Sequence, residues 1–465
     1  MQNTHFTKTM HRISLLILIL LVSCRGQQPD HPIASQGADA GTVTIKNETF
    51  QTDFGDYPAE YGTIVVPENR LRQDSRLLQL YFIRIHALGT VKNEPIFYLG
   101  GGPGLSNLTF QPFEPLLQNR HFVMVGYRGI DDSTPLICFG VQEAMAGAKD
   151  ELGAASREAL AEAFSKCASD LSARGVDLSS YTIRDIIEDI EAVRKALDYE
   201  KINLLSESYG TRIAYFYGLH HPDAIRRSVM LGANPPGRFI FEAEKIDAQL
   251  AYYGRLWANG ENNPNKNIDI VAMIRQVLQD MPKRWLIFPI DAGKVKMATF
   301  LMLFHRQSAA MIFDTYLAAA NGDASGLAVL TFAYDMLVPS AMNYVDAAAK
   351  AVSVDFDSTR NFAVEMAESV IGSPHAQLLW GSIQQSGWPK ETLSVAFTKP
   401  SKSDVETLIL SGSIDFSTPA EYATDELLPY LHKGKQIILA EAGHTADIWS
   451  LDLPATIKMI TSFYD

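Results

Sequence analysis

Three residues of this chain have the types and placements for nucleophilic chemistry. Ser208 lies in Ser206-Glu207-Ser208-Tyr209-Gly210, between an apolar run and a helix-forming run. Asp415 ends Gly412-Ser413-Ile414-Asp415, and His444 follows Gly443. A serine hydroxyl is a poor nucleophile at neutral pH. It needs a base within hydrogen-bond reach, and the base needs a carboxylate to orient it. Ser208, His444 and Asp415 would fill those three roles, and the chemistry would be acyl transfer. Singly, each is bland: Ser-x-Ser-x-Gly occurs in many loops, and an Asp in a turn is usually a turn residue. Upstream, Gly100-Gly101-Gly102-Pro103-Gly104 closes another apolar run. So much glycine at a strand end means close backbone approach or positive φ.

The elements that must carry these residues are legible as alternating runs. Ile202 to Leu205 reads as a short buried strand, and Arg212 to His220 as a helix closed by Pro222. Gly210 is the small residue that a tight strand-to-helix turn needs after its serine. Tyr61 to Val66 and Leu77 to Ile85 read as antiparallel strands, with Pro67 to Ser75 as the turn region. Further strands are expected at Pro95 to Leu99, Phe122 to Val125, Ser228 to Leu231, Thr407 to Leu410 and Gln436 to Ala440. Thr182 reads as the N-cap of a helix with an apolar stripe at Ile186, Ile187, Ile190, Val193 and Leu197. Arg128, after the Phe122 to Val125 strand, reads as a residue that holds loops together. Each candidate chemical residue falls just after a strand, where open α/β sheets place their sites.

The fold class is therefore α/β, a mostly parallel sheet flanked by helices, with an insertion. Residues 238–399 read as a helical cap between a first core segment, 45–237, and a second, 400–465. Helices are expected around Ile246 to Trp257, Ile268 to Leu278, Lys296 to Phe304, Ala309 to Ala320 and Phe362 to Ile371. The insertion's aromatics, Tyr252, Tyr253, Trp257, Trp285, Phe288, Trp380 and Trp388, read mostly as core. Its acids Glu242, Glu244, Asp314 and Glu365 read as solvated helix residues.

Residues 1–23 carry Lys8 and Arg12 and then the apolar run Ile13 to Val22, too short for an ordinary membrane span. The run ends in Leu21-Val22-Ser23-Cys24, which resembles a bacterial lipobox; the alternative is a plain signal peptide with an incidental cysteine. Residues 24–44 read as a flexible tether. The expectation is an exported domain held to a cell-envelope membrane by a lipid on Cys24. Export makes Cys138 and Cys167 candidates for one disulfide, against two buried free thiols. The net charge is −13, and becomes −15 once Lys8 and Arg12 are removed. That argues against a nucleic-acid partner, which would need clustered Lys and Arg. No metal or cofactor is expected: ligand spacings, phosphate loops and dinucleotide motifs are not visible.

Taken together, Gly101-Gly102-Pro103-Gly104, Tyr127-Arg128-Gly129 with Ser133, Ser206 to Thr211, Gly412 to Asp415 with Thr418-Pro419, and Gly443-His444 resemble the prolyl and tripeptidyl aminopeptidase branch of the α/β-hydrolases. The cysteine pair also resembles the secreted members. The resemblance covers residues 60 to 237 and 400 to 465, and no motif in the cap adds to it. It implies cleavage from a free peptide N-terminus with Ser208, Asp415 and His444 as triad. It implies oxyanion donors from the backbone of Gly102 or its neighbour and of Tyr209, typically worth ~3 kcal/mol each. Ser206 stands where the family usually has Gly. Gly126 stands where an Asp often precedes the Arg-Gly loop, and Asp131 where that loop often has a second Gly. None of these removes a group from the triad. The same triad would serve a carboxylesterase on small esters, whereas a non-catalytic binding lipoprotein would be expected to lack one member.

Overall fold

The computed structural model describes residues 37–260 and 263–465. The apolar leader and Cys24 lie outside the described residues.

Nine strands form one sheet, in the order β1-β2-β3-β5-β4-β6-β7-β10-β11. They are β1 (Val43–Thr52), β2 (Gly55–Pro67), β3 (Leu77–Ile85), β4 (Ile96–Leu99), β5 (Phe122–Val125), β6 (Ile202–Glu207), β7 (Ile225–Leu231), β10 (Glu406–Gly412) and β11 (Gly434–Leu439). A separate hairpin pairs β8 (Arg284–Trp285) with β9 (Phe288–Pro289). β1, β2 and β3 are antiparallel, and β3 meets β5 antiparallel. From β5 to β11 every pairing is parallel. The chain passes from β4 to β5 on one side, then crosses to β6 on the other. That reversal opens a crevice at the C-terminal ends of β4 and β6, where ligands bind in such sheets.

β4 shows why the sheet has two covered faces. Its four residues are all buried. Phe97 and Leu99 join the core on one face with Ile186, Ile187, Ile190 and Val193 of the helix Ile183–Ala196. Ile96 and Tyr98 join the other, with Ile448, Ile457 and Ile460. Side chains alternate along a strand, so a strand covered twice reads as one apolar run. Thr182 stands at the N-cap, but its hydroxyl donates to the Asp185 carboxylate at 2.5 Å and not as a backbone cap. β1 begins inside the stretch read as tether. It is an edge strand of mostly exposed polar residues, so it carries little apolar signal.

Arg128 is fully buried and rivets the first half of the core. Its guanidinium forks onto Asp189 at 2.6 and 2.7 Å, and also donates to the carbonyls of Glu68 and Ser180. Cys138 and Cys167 are joined as a disulfide, with Cα atoms 5.8 Å apart.

The residues between β7 and β10 form two packing units. Helices Ala243–Ala258, Ile270–Gln279, Ala292–Met302, Arg306–Ala320 and Ser325–Leu337 enclose their own core around Ile246, Leu250, Ile274, Phe300, Ile312 and Leu327. The helix Tyr344–Asp355, with Trp380 and Trp388, packs into the core of the main sheet instead. Phe288 projects from the hairpin and is exposed.

Candidate active site

Ser208 joins β6 to the helix Tyr209–His220 and takes φ 51° and ψ −123°. This is a region that L-residues with side chains rarely occupy, so the surroundings must over-determine it. They do. The Ser208 N–H donates to Leu231 O at 2.9 Å, and its carbonyl accepts from the Thr211 N–H and hydroxyl. A Cβ on Gly210 would lie 2.0 Å from Leu99 O, so only glycine fits there. Ser206 is tolerated at the earlier position because it is an in-register strand residue. Its hydroxyl donates to Val229 O on the neighbouring strand at 3.0 Å.

The glycine loop leans on this turn. A Cβ on Gly101 would lie 3.1 Å from the Ser208 Cβ. Gly102 takes φ +122° and precedes a cis peptide to Pro103. Tyr209 is the first residue of its helix, so its N–H has no intrahelical acceptor. Among the described residues, neither the Gly102 nor the Tyr209 N–H donates to an acceptor. Two free N–H groups beside a serine hydroxyl can receive an anionic oxygen.

Asp415, fully buried after β10, is orientated from three directions. It accepts the N–H groups of Ser417 and Thr418 and the Thr418 hydroxyl, at 2.8–2.9 Å. Its Oδ2 receives His444 Nδ1 at 2.8 Å, which leaves Nε2 as the nitrogen able to accept a proton. Burial alone would lower the His444 pKa. Asp415, Glu207 and Asp447 overcome that, and the pKa ends above the ordinary histidine value. A Cβ on Gly232 would lie 3.1 Å from the imidazole Cε1. The Leu231–Gly232 backbone is therefore the support that Ser208 and His444 share. Among the described residues no hydrogen bond joins Ser208 to His444; such contacts are often long without substrate.

All three loops are held from the inserted segment. The Gly104 carbonyl accepts the Asn343 N–H at 2.8 Å, and its N–H donates to Asp346. The Tyr253 hydroxyl and Gln249 amide donate to the carbonyls of Ile414 and Asp415. The His444 N–H donates to Phe304 O at 2.8 Å, and the Phe304 ring packs edge-on against the imidazole. These contacts were not legible, since nothing in sequence links residues so far apart. Of the acids read in the cap, Glu242 pairs with Arg238 and Glu365 with Arg360, while Glu244 and Asp314 are exposed.

Gly126 and Asp131, two departures from the resembled pattern, face each other. A Cβ on Gly126 would lie 2.5 Å from the Asp131 Cβ. The Asp131 carboxylate receives the N–H groups of Tyr127 and Asn107, at 3.0 and 2.9 Å. The Asp131 side chain therefore leaves no room for one at Gly126, and the backbone oxygens of Asp131 and Tyr81, each 2.9 Å from the same point, add to that exclusion.

Residues 94–283 match a family model described as the alpha/beta hydrolase fold. The chain is 26% identical over 254 residues to a tripeptidyl aminopeptidase of Streptomyces lividans, covering 51% of this chain and 47% of that protein. It is 30% identical over 207 residues to the serine protease Hip1 of Mycobacterium tuberculosis, covering 40% of this chain and 38% of that one. The chain thus spans about half the length of the curated relatives it matches, or less. A solved serine hydrolase from Cycloclasticus zankles aligns with 91% of this chain and 98% of its own, at 13% identity and a TM-score of 0.40.

Proposed function

We propose that this chain, which has the α/β-hydrolase fold and is similar to a tripeptidyl aminopeptidase over about half its length, is a serine peptidase. It would release residues or short peptides from peptide N-termini. The observation that carries the reading is the 2.8 Å contact from His444 Nδ1 to buried Asp415, beside the strained Ser208 turn. In the proposed cycle His444 Nε2 takes the Ser208 proton as Oγ attacks the carbonyl. The Gly102 and Tyr209 N–H groups receive the oxyanion. His444 then protonates the leaving amine, Asp415 holds the tautomer, and water releases the acyl group by the same route. Peptidase-named relatives favour a peptide substrate over an ester.

Export and anchoring at Cys24 belong to the same proposal. The Cys138–Cys167 disulfide supports an oxidising compartment. Loss of fatty-acid labelling in Cys24→Ser would agree with the anchor, and undiminished labelling would reject it.

Two measurements test the activity. A fluorophosphonate probe is expected to label the wild type and to leave Ser208→Ala unlabelled. Mass spectrometry on a mixed peptide pool is expected to show shortening from the N-terminus. Turnover of short acyl p-nitrophenyl esters, with no cleavage of any peptide or aminoacyl anilide, would reject the peptidase in favour of a carboxylesterase.

A further inference from the structure

Glu207 is the residue before the nucleophile, and sequence reading passes over it as the variable position of the turn. In the structure it is partly buried, with both carboxylate oxygens engaged. Oε1 accepts the Trp449 indole N–H at 2.5 Å, and Oε2 accepts the Tyr98 hydroxyl at 3.1 Å. Both donors are neutral, and no ion pair joins Glu207 to a Lys or Arg among the described residues. Aromatic rings wall the site: Tyr98 stacks on Phe110, and Phe110 and Phe113 pack against Trp449. A carboxylate without a counter-ion in such surroundings is costly to keep charged.

Its partners explain why it is there. Trp449 lies on the helix Thr445–Leu451, whose N-cap is His444. Tyr98 lies on β4, which leads into the glycine loop. One side chain thus ties together the strand that ends at Ser208, the strand that ends at the oxyanion loop and the helix that starts at His444. Glu207 is one residue from the nucleophile, and Trp449 is five from the base.

We propose that Glu207 is a positioning residue of the site. It would set the spacing of His444 and Ser208 through Trp449, and its charge would stabilise the imidazolium formed during acyl transfer. The groups that face His444 are Asp415 from the β10 loop, Glu207 from β6, Asp447 on its own helix and His305 from the inserted segment. Asp447 already serves the N–H groups of Gly443 and Arg306, at 2.9 and 2.7 Å. His305 would add positive charge if protonated. After Asp415, Glu207 is the carboxylate that most favours the protonated ring, ahead of Asp447.

The inference rests on the serine-hydrolase reading, so the test is chosen to separate the two. Fluorophosphonate inactivation is followed against pH in the wild type, Glu207→Gln and Trp449→Phe. Glutamine keeps the size and an acceptor for Trp449 but removes the charge. The rising limb tracks the neutral imidazole, so removing a nearby negative charge moves it to lower pH. The expected shift is about one unit, with the plateau roughly tenfold lower. Trp449→Phe keeps the charge and cuts the link. It is expected to lower the plateau while leaving the limb within about 0.3 units of wild type. A wild type that resists the probe would sink the serine-hydrolase reading itself. A labelled wild type whose profile superimposes on Glu207→Gln, in position and plateau, would overturn the role given to Glu207. Should Glu207→Gln fail to fold, a Trp449→Phe profile identical to wild type would overturn it.

Discussion

Asp346 accepts the N–H of Gly104 at 3.1 Å across 242 residues of chain, and the same carboxylate oxygen receives Lys350 Nζ at 2.6 Å. The ion pair is completely buried, and the Lys350 ammonium lies 5.4 Å from the centre of the Tyr127 ring. An internal pair of this kind is weak evidence for stability, but breaking one partner exposes the other to an apolar interior. Lys350→Met is expected to cost about 3–5 kcal/mol in urea unfolding. Asp346→Leu added to Lys350→Met should recover most of that stability, yet leave the acylation rate low because Gly104 has lost its acceptor. Full recovery of rate in the double variant would show that Asp346 does not hold the loop.

The Ser208 conformation predicts an unusual order of stabilities. Glycine adopts positive φ freely, while alanine does not. Ser208→Gly is expected to be about 1 kcal/mol more stable than Ser208→Ala, with both inert to the probe. Equal midpoints in urea would mean that the turn carries no strain at this residue.

The contact between Gly126 and Asp131 predicts a partly compensating pair. Gly126→Asp alone forces a side chain into space already taken, at an expected cost of about 2–4 kcal/mol. Gly126→Asp with Asp131→Gly should regain only part of it, since the backbone oxygens of Asp131 and Tyr81, 2.9 Å from the same Cβ, stay in place. A double variant no better than the single would separate the two positions.

Two histidines set opposite pH slopes. Burial lowers the His375 pKa to about 4, and its buried Nδ1 has no hydrogen-bond partner among the described residues. The unfolded chain binds that proton more readily, so stability is lost as pH falls from about 6.5 toward 4, by roughly 3 kcal/mol in all. His375→Phe should flatten that loss in urea midpoints measured between those values. His444 works the other way. Burial opposes its charge, but Asp415 foremost raises its pKa. Its contribution to stability is fully present below the unfolded pKa and is lost as pH rises through the folded one. In the proposed cycle acyl transfer needs the neutral ring, so activity is expected to climb over the same interval in which that contribution fades.

What the sequence made legible follows from which signals are local. The strands β4, β6 and β10 announce themselves because each is an apolar run that stops at small residues. The loops after them carry the chemical residues for the same reason. The helix Tyr344–Asp355 was not legible. It is buried on all sides apart from its final residue, so it lacks the polar face that gives a helix its period. Asp346 and Lys350 inside it look like surface residues until the structure pairs them. Gly126 and Asp131 looked like two separate departures because their contact depends on how the turn folds back. Glu207 gave no signal at all: its partners are 109 and 242 residues away.

The stitching of the inserted segment to the site has a consequence for anyone who would recombine this protein. Asn343 and Asp346 hold the glycine loop, Gln249 and Tyr253 the loop of Asp415, and Phe304 the loop of His444. A graft that replaces everything between β7 and β10 would remove all of those anchors at once. A chimera designed to change substrate while keeping the chemistry has to retain the helix Ala243–Ala258, Asn343 with the helix Tyr344–Asp355, and the turn at Phe304. The exchangeable portion is then confined to surfaces such as the β8–β9 hairpin.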